Sequence, residues 1–119
     1  MEHIHGLSGP YILTVQEIAR VAQLKKPGAF AFGSLDERGT FIPRVLGMSS
    51  MNVSQRLREG IGTYTYFKVR YTSSAHDAFC EWCCIYHMFC SETSCPLEKR
   101  EHPEHPQEES WKCPVCHAR

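Results

Sequence analysis

The residues with the most distinctive chemistry fall in two stretches, Cys80-Glu81-Trp82-Cys83-Cys84-Ile85-Tyr86-His87 and Trp111-Lys112-Cys113-Pro114-Val115-Cys116. If the first is helical, Cys83 and His87 stand one turn apart and roughly 40° apart around the axis, so a thiolate and an imidazole can reach one ion. Cys113 and Cys116, with Pro114 between them, form a knuckle whose sulfurs converge. Together Cys83, His87, Cys113 and Cys116 predict a tetrahedral three-Cys-one-His site for a structural zinc ion, Zn2+. His102 is the alternative fourth ligand, with His105 and His117 behind it. Cys80, Cys84, Cys90 and Cys95 also have ligand chemistry, but cysteine is often simply buried, and that is the reading taken here.

A chain of 119 residues allows one domain with a modest core. No apolar run reaches the length of a membrane span, and Met1-Glu2-His3-Ile4-His5 lacks the layout of a signal peptide. The expected location is therefore cytoplasmic and reducing. There, seven cysteines, an odd number, point to metal ligation and buried thiols rather than a disulfide framework. The net charge is zero but uneven. Residues 1–72 hold nine Lys/Arg against five Asp/Glu (+4), and residues 73–119 hold four against eight (−4). The first part can supply a weak basic face for nucleic acid; the whole-chain balance neither favours nor excludes that partner.

Several elements must position these groups. Pro10-Tyr11-Ile12-Leu13 reads as a leading strand or a packing arm. Thr14-Val15-Gln16-Glu17 has the form of a capping box, opening a helix expected to stop near Lys25-Lys26, before Pro27-Gly28. Ala29 to Phe32 reads as a strand ended by Gly33. A polar turn through Asp36 to Gly39 leads to a second strand, Thr40 to Leu46, in which Pro43 implies an edge or a bulge. Ser50 or Asn52 can cap a helix carrying Val53 and Leu57. Tyr64 to Tyr71 is the clearest strand, with Phe67, Val69 and Tyr71 on one face and Tyr66, Lys68 and Arg70 on the other. Ser74-Ala75-His76-Asp77 is a second capping box, and its helix should run to about Cys90. Ala75, Ala78, Phe79, Trp82, Tyr86 and Phe89 form its apolar face, with the cysteines and His87 on the adjoining one. From Ser91 to Ser110 the chain is polar, with Glu101-His102-Pro103 repeated as Glu104-His105-Pro106.

The order of Pro27-Gly28-Ala29-Phe30, Val45-Leu46-Gly47, Gln55-Arg56-Leu57-Arg58 and Ser74-Ala75-His76-Asp77-Ala78-Phe79 resembles the GIY-YIG nuclease superfamily. The likeness covers roughly residues 27–119. Tyr66-Phe67-Lys68 through Tyr86-His87, then His102-Pro103 and Lys112 to Cys116, is similar to a small branch with a Cys-rich end. The resemblance implies metal-assisted phosphodiester cleavage, with two Tyr, one Arg and a metal-holding Glu. Phe30 stands at the first Tyr position and Val45 at the second. Met48 follows Gly47 where Arg is common in that branch, and Trp82 falls at the Glu position. Arg56 matches the Arg. The resemblance therefore implies a catalytically degenerate copy. If activity survives, Arg56, Glu81 and Tyr66 are the residues expected to carry it, with Mg2+ or Mn2+.

The resulting expectation is a small α+β domain of GIY-YIG-like form. It has a three-stranded, largely antiparallel sheet with flanking helices over residues 1–90, and a zinc-fixed tail over residues 91–119. The expected function is a catalytically degenerate nucleic-acid-binding or interaction module, with DNA or another nucleic acid as the partner and no membrane. An active metal-dependent endonuclease and a thiol-redox or metal-sensing protein are the alternatives.

Overall fold

A computed structural model describes residues 6–22, 24–90, 95–98, 101–104 and 111–116. His3, His5, His105 and His117 lie outside the described residues, as does the second half of the Glu-His-Pro repeat beyond Glu104. The elements in chain order are β1 (Ser8–Ile12), α1 (Val15–Val21), β2 (Gly28–Leu35), β3 (Phe41–Ser49), α2 (Val53–Arg58), β4 (Tyr66–Tyr71) and α3 (Ala75–Phe89). Among the described residues the sheet has four strands, not three. It is antiparallel throughout, in the order β1-β4-β2-β3. The added strand is the segment around Tyr11, which pairs with Phe67 on β4. Its apolar run is too short to reveal a pairing that depends on a strand more than fifty residues away.

Register sorts the side chains. Phe30 lies opposite Val69 and Phe32 opposite Phe67, so these four share a face. On that face they meet Ile18 and Ala22 of the α1 region and Val53 and Leu57 of α2 in the main core. Ala29 and Ala31, opposite Arg70 and Lys68, point to the other side, where their small side chains let α3 lie close. Ile85 of α3 and Ala31 border the same hollow there. The sheet is thus a middle layer, with α1 and α2 on one face and α3 on the other.

Local rules set most boundaries. Thr14 Oγ1 accepts the Glu17 amide at 3.1 Å, and Ser74 Oγ accepts that of Asp77 at 3.0 Å. Asn52, rather than Ser50, caps α2. Helix α1 ends at Val21, well before Lys25, because the chain must straighten to enter the sheet. There the Leu24 amide donates to the Tyr71 hydroxyl at 2.7 Å and Thr72 N to Pro27 O at 2.9 Å. β2 runs on past Gly33, since a Cβ there would stand 2.2 Å from Ile42 O and only glycine permits the approach. Pro43 sits on the edge strand beside a bulge: Gly33 pairs with Pro43 and Phe32 with Val45, leaving Arg44 over. Ser74→Ala, which removes an N-cap acceptor, is expected to cost about 1 kcal/mol in urea unfolding.

Candidate metal centre

Helix α3 carries His87 in its last turn, half-buried. Two tail segments come back to it. The first is held against the body by Leu97, which is buried, and by Glu98. The Glu98 amide donates to Arg44 O at 2.7 Å, and its carboxylate accepts the Tyr64 hydroxyl at 2.7 Å. This takes one free carbonyl of the bulged edge and delivers His102 to the end of α3. The second segment begins at Trp111, whose ring stacks on His76 (centroids 5.0 Å) and leans on Phe79 (5.8 Å). From there the chain follows α3 towards its C-terminus. Cys113 packs beside Phe79 and Cys83, and Pro114 and Val115 lie by Cys84, His87 and Met88.

The donor atoms of His87, His102, Cys113 and Cys116 all lie within 4.8 Å of one another. His87 Nε2 is 3.1 Å from His102 Nε2, and Cys116 Sγ is 3.3 Å from His102 Nε2. Metal–nitrogen bonds of about 2.0–2.1 Å and metal–sulfur bonds of about 2.3 Å set tetrahedral N–N and N–S separations of roughly 3.3 and 3.6 Å. The fit is close. His102 Nδ1 is 2.8 Å from the Pro103 carbonyl, which can only accept, so Nδ1 holds the proton and Nε2 keeps its lone pair for an ion. Such a His2Cys2 group can hold a metal ion and is compatible with structural zinc.

Cys83, expected among the ligands, is not in this group. It is fully buried one turn earlier on α3, beneath Cys113 and Phe79. Burial above all, then the Cys113 sulfur beside it, pushes its thiol far above the ordinary range, and its S–H donates to Cys113. It supports a ligand from behind. Burial likewise raises Cys80, and takes Cys84 to about 11. Cys90 and Cys95, expected as separate thiols, are joined in a disulfide where the chain leaves α3.

Cys113 goes the other way. Burial raises its thiol, but the hydrogen bonds it receives, led by the amides of Cys116 and Val115, outweigh that and bring it to about 6. A lowered thiol stabilises the fold fully above the ordinary thiol range, and the contribution is lost as pH falls through about 6. Imidazoles must also be unprotonated to bind. Metal content after dialysis is therefore expected to hold at about pH 8 and to fall below about pH 6.

The three residues expected for catalysis are not brought together. Arg56 lies on the α1–α2 face, its guanidinium 5.4 Å from the Phe30 ring centroid, donating to Met48 O at 3.1 Å and to Glu59 at 3.2 Å. Glu81 is buried on the opposite face, its carboxylate 3.7 Å from the Arg70 guanidinium, an ion pair that ties α3 to β4. Tyr66 shares that face but stands opposite Gly33, whereas Arg70 stands opposite Ala29. Four residues of strand, roughly 13 Å, separate them.

The chain matches no protein-family model, and it has no significant match among curated proteins or solved structures. The site therefore rests on its geometry alone. Sequence spacing brought out Cys113, Cys116 and His87, and offered His102 only as a substitute, because nothing local links residue 102 to residue 87. The available signal was His102-Pro103 in a polar segment that lacks a core of its own. Among the described residues, no helix is long and apolar enough to cross a membrane.

Proposed function

We propose that this chain is a GIY-YIG-like module that binds nucleic acid without cleaving it, its tail fastened by structural zinc at His87, His102, Cys113 and Cys116. The observation that carries this reading is the contrast between four converging metal donors and three dispersed candidate catalytic groups. The phenol positions of the resembling family are filled by Phe30 and Val45. Phe30 is 2% exposed, its ring lying over Gly47, so the place of a reacting hydroxyl is sealed by packing.

Binding of nucleic acid is favoured by a cleft of about 370 Å³ on the α1–α2 side, bordered by Lys25, Asn52, Ser54, Gln55 and Arg58. Two cations and three neutral hydrogen-bonding side chains, with no carboxylate among them, suit a phosphodiester backbone. Glu59, next to Arg58 in the chain, pairs with Arg56.

Labelled duplex DNA is expected to shift with added protein, the more so at low salt. Charge reversal at Lys25 and Arg58 should lower the salt slope by about 1 per lost phosphate contact. Plasmid incubated with the protein and Mg2+ or Mn2+ is expected to stay intact. Cleavage that disappears with Arg56→Ala would replace this reading with that of an active endonuclease.

A further inference from the structure

Beside the metal centre runs a groove of about 320 Å³ with walls of two origins. Leu46 of β3 and Trp82 and Tyr86 of α3 form the wall given by the body. Leu97, Glu101 and Glu104 belong to the wall given by the tail. Trp82 and Tyr86 stand four residues apart on α3, one turn, so their half-buried rings border the same trough. Glu101 and Glu104 are exposed, and among the described residues no Lys or Arg borders the groove. The part of the chain from residue 73 on carries four Lys/Arg against eight Asp/Glu, so its field also draws cations.

An aliphatic floor, two aromatic rings and two carboxylates are complementary to one kind of side chain: a flexible alkyl stem ending in an ammonium. The stem excludes water from Leu46 and Leu97. The ammonium is attracted by the ring faces and by the carboxylates at the rim. We propose that this groove is a docking site for a lysine side chain presented by a basic partner peptide.

The tail wall hangs on His102, whose ring is 5.3 Å from that of Tyr86 and whose Nε2 belongs to the metal group. The groove is thus complete only while the tail is fastened. In that respect the proposal rests on the zinc reading, and lysine binding becomes metal-dependent.

The test uses the full metal-loaded chain and a fluorescently labelled, end-blocked pentapeptide with a central lysine between two leucines. Two further peptides carry Nε-acetyllysine or norleucine at the centre. Anisotropy titration is expected to show saturable binding of the lysine peptide and at least tenfold weaker binding of both others. Trp82→Ala and the double variant Glu101→Gln/Glu104→Gln should each weaken the lysine peptide at least tenfold while metal content, assayed on the same samples, stays unchanged. A chelator should abolish binding. Equal affinity for all three peptides, or undiminished binding by the metal-loaded Trp82→Ala protein, overturns the proposal and leaves the zinc reading intact. A chain that is metal-free as purified yet binds the peptide would instead remove the metal dependence, and with it the zinc reading.

Discussion

His102→Ala protein is expected to lose its metal to a chelator of middling affinity that leaves the parent protein loaded, whereas Cys83→Ala protein keeps the ion. Structural zinc contributes about 10–16 kcal/mol in small metal-folded domains, so an even share per ligand is about 2.5–4 kcal/mol, roughly 10²–10³-fold in affinity. His102 is in the set whose donor atoms lie within 4.8 Å of each other, with Nε2 left free by the Nδ1 contact to Pro103. Cys83 stands behind Cys113 as a weak S–H donor, and removing such a support costs about tenfold. Metal analysis on the two variants decides between the coordination that helix spacing suggested and the one the fold assembles. A chain that keeps stoichiometric metal without His102 but loses it without Cys83 would restore the three-Cys-one-His set. The loss should also loosen the tail, visible as solvent exposure of Trp111, whose ring stacks on His76 and leans on Phe79.

Phe30→Ala is expected to destabilise the domain by about 3–5 kcal/mol, the usual cost of deleting a buried aromatic ring. Phe30 is among the largest fully buried side chains. Its ring lies 4.9 Å from that of Phe32, roofs Gly47 across the hairpin and supports the Arg56 guanidinium. Against a total stability of about 5–15 kcal/mol for a typical domain, a loss of that size leaves a sizeable unfolded population near body temperature. Urea unfolding of metal-loaded protein, followed by far-ultraviolet circular dichroism, measures it. A change under about 1 kcal/mol would mean that the face shared by Phe30, Phe32, Phe67 and Val69 is not the principal core.

Much of this was legible in the residues themselves. Thr14 and Ser74 announce helix starts because their hydroxyls reach an amide three residues on, and they do so in the folded chain. The alternation of Tyr66 to Tyr71 placed Phe67 and Val69 inward and Lys68 and Arg70 away, as the register has it. Pro43 announced an edge or bulge and sits at both. The buried face of α3 departs from the expected apolar stripe. Glu81, Cys83 and Cys84 are buried, while Trp82 and Tyr86 are only half-buried, because α3 has two partners: the sheet on one side and Trp111 with Cys113 on another. A single apolar stripe cannot describe a helix that is covered twice.

What the sequence by itself determined is therefore local: where helices begin, which way strand side chains point, and that the Cys113/Cys116 knuckle and His87 have the spacing of metal ligands. Each follows from geometry within a few consecutive residues. Only the tertiary structure decided that a fourth strand joins at β4, that Arg56 lies across the sheet from Glu81, and that His102 rather than Cys83 completes the group of four. Those outcomes depend on where distant segments meet. The meeting is set by the burial of Leu97 and the packing of Trp111 along α3, contacts between residues that no short-range pattern relates.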